Sequence, residues 1–224
     1  ILQAGSKTYV LNDKDASLAQ FVENGTPVLL EPLHLNFWRP LTNNDRGFDA
    51  QSKCASWKYC GENVEVKKRK QTITSASTSI QYDIKIPVGS SKGTLIYTVS
   101  NAGELQVTVS INPDSGEDPF IPRIGLQTRI ADTWKKVEWY GKGPGETYCD
   151  RNVGSWVSRF ENAIDKMFHY YIDPQESGNR TAVRYFTLKN ENGQELRVDA
   201  SSEHLLNFSI YPHLSQEDIE NAKH

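Results

Sequence analysis

The sequence predicts an all-β protein of the sandwich type, on three observations. Apolar and polar residues alternate in several runs, turn-forming residues separate those runs, and few segments have helical periodicity. Alternation gives each strand one buried and one wetted face, which is typical of antiparallel sheets rather than a doubly wound parallel sheet. No repeat or low-complexity linker interrupts the 224 residues, so we expect a single domain over residues 1–224.

The predicted strands follow one another through the middle of the chain. A long strand rich in Lys, Val and Thr is expected over residues 63–79. Four runs of period two come next, and turn signals occur at residues 89–93, 101–103 and 112–116. The members of these runs that we expect to face the core are Ile80, Tyr82, Ile84 and Ile86; Leu95, Tyr97 and Val99; Leu105, Val107, Val109 and Ile111; and Ile124, Leu126, Thr128 and Ile130.

Helices are predicted to be few and short. Residues 45–59 are expected to hold one, with Trp57 on its buried side, and residues 152–162 another.

A last helix is predicted at the end of the chain. Ser215 has the side chain of an N-cap, and Glu217 and Asp218 follow in the first turn, where the helix dipole favours negative charge. We expect this helix to run to His224.

Composition excludes several classes of partner. A net charge of −3 argues against nucleic acid or an anionic membrane as the main partner, and no apolar run is long enough to span a bilayer. Cys54, Cys60 and Cys149 match no zinc spacing, and the histidines do not cluster with them. Free thiols, no metal site and no cofactor in this chain are therefore expected.

The first polar cluster is N-F-W-R-P-L-T-N-N-D, over residues 36–45. Arg39 offers a fork of donors, while Asn44 and Asp45 offer acceptors, so the three are candidates for holding sugar hydroxyls. Arg39 and Asp45 could equally form an internal ion pair that fixes the turn. The chemistry of the residues alone favours this structural role.

The second cluster is W-Y-G-K-G-P-G-E-T-Y-C-D-R, over residues 139–151. Its glycines and proline predict a tight, stiff turn. The loop would then carry Glu146, Tyr148, Asp150 and Arg151, and acid, base and aromatic ring together suit a polyol ligand. The alternative is a rigid surface loop whose leading aromatic pair only fills the core.

The third cluster is P-Q-E-S-G-N-R-T-A-V-R-Y, over residues 174–185. Glu176, Arg180 and Arg184 alternate there with small and turn-forming residues. They are candidates for carbohydrate binding, and the alternative is an Arg–Glu network that ties the loop to the sheet.

The three clusters resemble, in the same order and at similar intervals, a set known from one family. Its patterns are F-W-R-A-P-T-D-N-D, W-Y-G-R-G-P-H-E-N-Y-P-D-R and P-Q-E-N-G-N-R-T-D-V-R-W, from the C-terminal domain of bacterial β-galactosidases of glycoside hydrolase family 2. The likeness runs from about residue 30 to the end. The chain departs from the family at residues 40–43, at Gly145, Thr147 and Cys149, and at Ser177, Ala182 and Tyr185.

The resemblance implies a β-supersandwich similar to galactose mutarotases, with few short helices. In the family, the two catalytic carboxylates of the retaining mechanism, roughly 5 Å apart, belong to an upstream (β/α)₈ barrel. That barrel is the partner the resemblance implies. A family segment rich in Gly and Asp would lie beyond His224, so we expect the domain to be truncated at its C-terminal end.

The leading interpretation is a non-catalytic C-terminal domain of a β-galactosidase, a glycosidase of carbohydrate metabolism that hydrolyses terminal β-D-galactosides. The domain would shape the parent's active site and is a candidate for binding carbohydrate. The resemblance implies an oligomeric bacterial parent in the cytoplasm or periplasm. One alternative is an independent aldose 1-epimerase, which requires a general acid and a general base, usually His and Glu. The other is a structural module that mediates subunit contacts.

Overall fold

The computed structural model describes residues 1–114 and 120–222, and strands dominate it. The strands of the described residues pair in antiparallel fashion throughout, and the predicted all-β class is confirmed. In chain order the strands are β1 (Leu2–Ala4), β2 (Lys7–Leu11), β3 (Leu18–Glu23), β4 (Thr26–Pro27), β5 (His34–Asn36), β6 (Glu65–Ile73), β7 (Ser77–Lys85), β8 (Lys92–Ser100), β9 (Leu105–Asn112), β10 (Gly125–Gln127), β11 (Trp134–Gly143), β12 (Trp156–Ala163), β13 (Arg180–Val183), β14 (Tyr185–Asn190), β15 (Glu195–Asp199) and β16 (Leu206–Phe208).

The chain divides into two compact units. The first comprises Ile1–Arg39 and Asp45–Ala131, and the second comprises Pro40–Asn44 together with the chain from Asp132 onward. Each is described by its own sheets below, and the single domain expected from the sequence stays a prediction. In the described part of the chain, no helix combines the length and apolar character needed to cross a membrane.

The largest sheet of the first unit has the order β6-β7-β8-β9. Its register places Tyr82 opposite Leu95, and Ile80 opposite Tyr97, and all four side chains are buried. The apolar residues of β9 share this face and are half-buried. The alternation predicted for β7, β8 and β9 is therefore confirmed, because one face of the sheet lies on the core.

Two smaller sheets complete the first unit, with the orders β1-β2-β3-β4 and β10-β5. The loop between β2 and β3 is fixed to the large sheet by tyrosine hydroxyls. Tyr82 donates to Asp13, and Tyr97 donates to the carbonyl of Ala16 at 2.7 Å. Burial raises the pKa of both tyrosines above the ordinary value of 10.0, so these donors stay protonated.

The second unit is built on a sheet with the order β12-β11-β14-β15, and β13 pairs with β16 beside it. Trp139 in β11 lies opposite Phe160 of β12 and Phe186 of β14. Trp139 is buried, whereas its neighbour Tyr140 points to the other face and is partly exposed. The Trp139 face therefore forms the core of this unit.

The predicted strand over residues 63–79 is wrong in its extent. A turn at residues 74–76 divides it into β6 and the start of β7. The hydroxyl of Thr74 accepts the main-chain N–H groups of Ala76 and Ser77, at 3.2 and 3.0 Å. Because threonine is common in strands, a threonine whose hydroxyl caps its own turn is easily predicted to be a strand residue.

The predicted helix over residues 152–162 is also wrong, because Trp156–Ala163 is strand β12. It lies at the edge of its sheet and pairs with β11 alone. Its half-buried residues recur at every second position, including Ser158 and Phe160, which is the period of a strand.

The run that begins at Ile124 forms a shorter strand than predicted, since β10 covers only Gly125–Gln127. Ile124 and Leu126 are exposed, so the inward orientation predicted for them is wrong. Leu35, the cross-strand neighbour of Leu126, is buried, which places β10 at the margin of the core.

Short helical segments occur in two of the three regions where the sequence predicts helices. Three pieces stand where one helix was predicted: α1 (Asn43–Gly47), α2 (Ala50–Lys53) and a 3-10 turn at Ala55–Trp57. The buried position of Trp57 is confirmed, with its ring 5.4 Å from that of Phe37. A second 3-10 turn covers Ile164–Lys166.

The closing helix α3 spans Gln216–Asn221 and is capped by Ser215, as predicted. Asp218 completes a capping box, accepting the N–H of Ser215 at 2.7 Å. Ala222 is extended, so the predicted run to His224 is wrong at that residue. Positions 223 and 224 lie outside the described residues, as do positions 115 and 116 of the predicted turn at residues 112–116.

Candidate functional site

The second polar cluster is part strand and part loop. Gly141 and Gly143 lie in β11, and the Gly143–Pro144 peptide bond is cis. A Cβ at Gly141 would lie 2.7 Å from Val183, and one at Gly143 would lie 2.8 Å from Phe160. These two glycines therefore allow close packing of the strand, and the prediction that they form a tight turn is wrong for both.

Glu146 is the centre of the loop that follows β11. Its Oε1 accepts the hydroxyl of Tyr171 and lies 2.8 Å from Nη2 of Arg151, while its Oε2 accepts the main-chain N–H of Gly178 at 2.8 Å. We call Glu146, Arg151, Tyr171 and Gly178 the Glu146 hub. It joins the loop of residues 144–155 to the segment of residues 169–178.

Thr147 strengthens the same junction from a buried position. Its main-chain N–H donates to the carbonyl of Asn179, and the side chain of Asn179 donates back to the carbonyl of Thr147, both at 2.8 Å. The hydroxyl of Thr147 accepts from the main chain and the hydroxyl of Thr181, at 2.8 and 2.9 Å. The second and third sequence clusters are therefore brought together within the second unit.

Glu176 lies deeper in the same cluster and is 1 % exposed. Its carboxylate accepts the hydroxyls of Tyr211 and Ser209, and Ser209 also lies within hydrogen-bond distance of the Asn179 side chain. A buried carboxylate is stable only when donors of this kind surround it. The sequence offered a partial signal for Tyr211 and Ser209, because both stand in the closing segment that resembles the family.

The hydroxyl of Tyr148 is influenced by the negative charges of Glu146 and Glu176. Burial raises the pKa of its hydroxyl, and the charges of Glu176 and Glu146 raise it further. The guanidinium of Arg151 lies 4.7 Å from the centre of its ring. Tyr148 therefore stays protonated and serves as a packing surface for Arg151.

Arg180 is buried and acts on the backbone of the loop. Its Nη1 donates to the carbonyls of Gly178 and Asn179, at 2.9 and 3.2 Å, and its guanidinium lies 5.1 Å from the Trp139 ring. Burial lowers its pKa, and the charge of Glu146 opposes that shift. Within residues 1–114 and 120–222 it forms no ion pair, so Arg180 holds the loop through carbonyl oxygens and ring packing.

Arg184 lies apart from this cluster. Its guanidinium packs on Tyr140, 5.3 Å from the ring centre, and its Nη1 donates to the carbonyl of Ala182 at 2.7 Å. Tyr140 and Trp139 point to opposite faces of β11, so Arg184 and Arg180 lie on opposite faces too. Asp150 is exposed at the loop tip.

The first polar cluster falls on both sides of the division between the units. Arg39 and Asp45 form the ion pair that the sequence favoured, with Nη2 and Oδ1 3.1 Å apart, and Asp45 is buried. Asn44 is exposed and belongs to the second unit. Because all three clusters are loops that carry Arg together with a carboxylate, the sequence leads us to expect them around one concave face. For the first cluster this stays a prediction, and Arg184 lies on the opposite face of β11 from Arg180.

Asn43 connects the segment Pro40–Asn44 to the third cluster within the second unit. Its side chain donates to Asp173 at 3.1 Å, and its main-chain N–H donates to Gln175 at 3.3 Å. Asn43 and Tyr171 are site residues that sequence reasoning missed. Tyr171 stands outside every motif and periodic pattern, and Asn43 lies within the first polar cluster at a position where the chain departs from the family.

The acids and bases of this cluster contact mainly one another and the main chain rather than lining an open reactive centre, and Nε of Arg180 is buried with no hydrogen-bond partner among the described residues. In the described residues, no three His, Cys, Asp or Glu side chains come together as metal ligands would. Cys149 is exposed, while Cys54 and Cys60 are buried, and burial raises the pKa of Cys60 to about 12. The cluster is suited to holding loops in a fixed shape, with Asp150 and Arg151 on its exposed side.

Comparison with known proteins shows where this chain belongs. Residues 3–224 match the family described as beta galactosidase small chain. The chain is 30 % identical over 224 residues to a β-galactosidase of Streptococcus thermophilus, covering all of this chain and 22 % of that protein. It is 34 % identical over 191 residues to a β-galactosidase of Lactobacillus delbrueckii subsp. bulgaricus, covering 84 % of this chain and 18 % of that protein.

A third relative, a β-galactosidase of Priestia megaterium, is 28 % identical over 189 residues, which are 84 % of this chain and 18 % of that protein. The chain thus spans about a fifth of the length of these relatives. The match over nearly its whole length, on a fold of antiparallel sheets, shows that the chain belongs to the β-galactosidase small chain family.

Proposed function

We propose that this chain is the non-catalytic part of a β-galactosidase and that it holds a rigid loop cluster beside the parent's active site. The observation that carries the proposal is the match of residues 3–224 to the small chain family. The hydrolysis itself would be supplied by the remainder of the parent, where the resemblance leads us to expect the catalytic barrel.

The use of the buried carboxylates supports a non-catalytic role. A retaining glycosidase needs one carboxylate as nucleophile and one carboxylic acid as proton donor, roughly 5 Å apart and facing the sugar. Glu146 is instead surrounded by Arg151, Tyr171 and Gly178, and Glu176 lies beneath the surface with Tyr211. Both acids hold the protein's own loops together.

Carbohydrate binding is the second part of the proposal. Arg151 and Asp150 are exposed, and the guanidinium of Arg151 lies beside the Tyr148 and Tyr171 rings, which suits contact with sugar hydroxyls and with an apolar sugar face. Arg180 is too deeply buried to reach a ligand at the surface. Arg151→Ala should therefore weaken galactose binding in calorimetry while costing only about 0–1 kcal/mol of stability.

An aldose 1-epimerase remains the alternative enzyme. Its general acid and base would be His and Glu, and both types contact Tyr171: the His169 ring lies 4.4 Å from the Tyr171 ring, and Glu146 accepts the Tyr171 hydroxyl. Polarimetry of freshly dissolved α-galactose with the pure chain decides the matter. Mutarotation above the buffer rate that His169→Ala abolishes would establish the epimerase.

The proposal is tested by exchange of the matching segment. The stretch of the S. thermophilus enzyme that aligns with this chain is replaced by the 224 residues, and hydrolysis of a chromogenic β-galactoside is measured. We expect activity in the exchanged protein, and none in the 224-residue chain alone. Turnover by the pure chain that a point change within it abolishes would refute the proposal.

A further inference from the structure

The second unit exposes an unusual number of large apolar side chains close to the Glu146 hub. Val153 is 99 % exposed and Ile172 is 87 % exposed, and Trp156, Val157 and Tyr170 are exposed as well. We call Val153, Trp156, Tyr170 and Ile172 the loop face; Val157 follows Trp156 in β12 and therefore points to the opposite side of its sheet. Single exposed apolar residues are ordinary, but a group of this kind marks a surface that another surface covers.

The hub brings the two halves of the loop face together. Val153 follows Arg151 by two positions, and Tyr170 and Ile172 stand on either side of Tyr171. Arg151 donates to the hydroxyl of Tyr171 at 3.1 Å, and both contact Glu146. Side chains from the two loops are therefore presented side by side.

The loop of residues 144–155 is also braced from within, so this surface is already ordered. The side chain of Asn152 donates to the carbonyls of Tyr148 and Cys149, at 2.8 and 3.1 Å, and accepts from Lys142 at 2.5 Å. An ordered surface loses less conformational entropy when it binds. Trp156 and Tyr170 in the loop face, with Arg151 of the hub beside them in the chain, are residue types typical of the centre of a protein–protein interface.

The open edge of β12 adds a second means of contact. Trp156 and Val157 begin this strand, which pairs with β11 on one side only. An edge strand that carries exposed apolar residues is normally covered, because its free N–H and C=O groups can pair with another chain.

We propose that the loop face is the surface on which the remainder of the β-galactosidase polypeptide packs. This inference rests on the proposed function. The relatives that contain the matching stretch are about five times longer than it, so most of their polypeptide lies outside this segment and is available to cover it. The complementary surface would be apolar, with a carboxylate or carbonyl oxygen opposite Arg151, whose guanidinium remains half-exposed.

The test compares the free 224-residue chain with a chimaeric enzyme, in which these residues replace the matching stretch of the S. thermophilus enzyme. Hydrogen exchange is followed by mass spectrometry in peptides that cover residues 151–157 and 169–173. We expect hydrogen exchange in these peptides to be at least tenfold slower in the chimaeric enzyme than in the free chain. In the chimaeric enzyme, Ile172→Asp should restore the rate of the free chain. In the free chain, Ile172→Asp should leave the melting temperature unchanged, because the side chain is already exposed.

Leu205→Asp serves as the matched control, since Leu205 is an exposed apolar residue of the same unit outside the loop face. It should leave exchange in both loops unaltered. If hydrogen exchange in these peptides is unchanged in a chimaeric enzyme that is active, the inference is overturned and the proposed function stands. A free chain that sediments as a dimer and becomes monomeric with Ile172→Asp would also overturn it, because the occupant would then be a second copy. Loss of galactosidase activity alone would count against the proposed function.

Discussion

The main-chain N–H of Gly178 donates to Oε2 of Glu146 across 32 residues of sequence. Gly178 reaches this position with φ at +78°, and a Cβ added there would lie 2.3 Å from the carbonyl oxygen of Met167. A backbone requirement at one position and a carboxylate at the other therefore depend on each other, and together they set the distance between two loops.

Gly178→Ala should lower the free energy of unfolding by about 3 kcal/mol, because a left-handed alanine costs roughly 1–2 kcal/mol and the clash with Met167 adds a similar amount. Chemical denaturation measures the loss. Gly145→Ala is the matched control, since a Cβ there meets nothing within 4 Å. It should stay within about 0.5 kcal/mol of the parent chain. Equal losses in the two variants would contradict the assigned role.

Ala182→Gly should raise stability by about 1 kcal/mol. Ala182 has φ at +54°, a conformation that glycine adopts without steric cost. Ala163→Gly is the comparison, because Ala163 is extended, with φ at −67° and ψ at 141°. There the same change should destabilise by up to about 1 kcal/mol. A calorimetric scan in which both variants melt at lower temperature than the parent would refute the strain at position 182.

Arg180→Ala should destabilise the chain by roughly 3 kcal/mol. The change leaves the carbonyl of Gly178 without this donor, removes one of the two donors to the carbonyl of Asn179 and uncovers the Trp139 ring, and a buried acceptor left alone costs about 1–3 kcal/mol. Arg159→Ala, at an exposed position, should change the denaturation midpoint little. A midpoint for Arg180→Ala that coincides with that of Arg159→Ala would show that Arg180 is not structural.

Alkaline pH should destabilise the chain in part through Cys60. Burial raises the pKa of its thiol from an ordinary value of 9.0 to about 12 in the folded chain, so between those values the unfolded state binds fewer protons. The stability that the protonated Cys60 thiol contributes is therefore fully present below about pH 9 and is lost as the pH rises toward 12. Denaturation midpoints between pH 8 and 11 measure this, and Cys60→Ala should flatten the decline.

A thiol count provides the independent check on Cys60. A chromogenic disulfide reagent at pH 8 should react quickly with Cys149 alone in the native chain and with all three cysteines after denaturation. Rapid reaction of Cys60 in the native chain would mean that it is not buried.

The parts of the fold that were predictable are those with a strong local signal. Strands β7 and β8 follow strict alternation over a single buried face, and Ser215 has the residues of a helix start after it. The Arg39–Asp45 ion pair was predictable as well, because opposite charges six residues apart flank a turn.

The rest depended on contacts between distant residues. Tyr171 is an isolated tyrosine until the fold places its hydroxyl on Glu146, 25 residues away. Gly141 and Gly143 signal a turn in sequence, yet neighbouring strands require them. Strand β12 has only a weak alternation of apolar and polar residues in its sequence. It lies at the edge of its sheet, where half of the positions contact water, as they would on a surface helix, and the sequence pattern therefore predicted a helix.

The Glu146 hub also limits how this family can diversify. A loop held by residues from two sequence regions is not an independent cassette, because a transplanted 144–155 segment would arrive without the Tyr171 hydroxyl and the Gly178 amide that complete it. Changes in one segment must be matched in the other. Recombination or loop grafting among related enzymes should therefore succeed when both segments are taken from one parent and fail when they come from two.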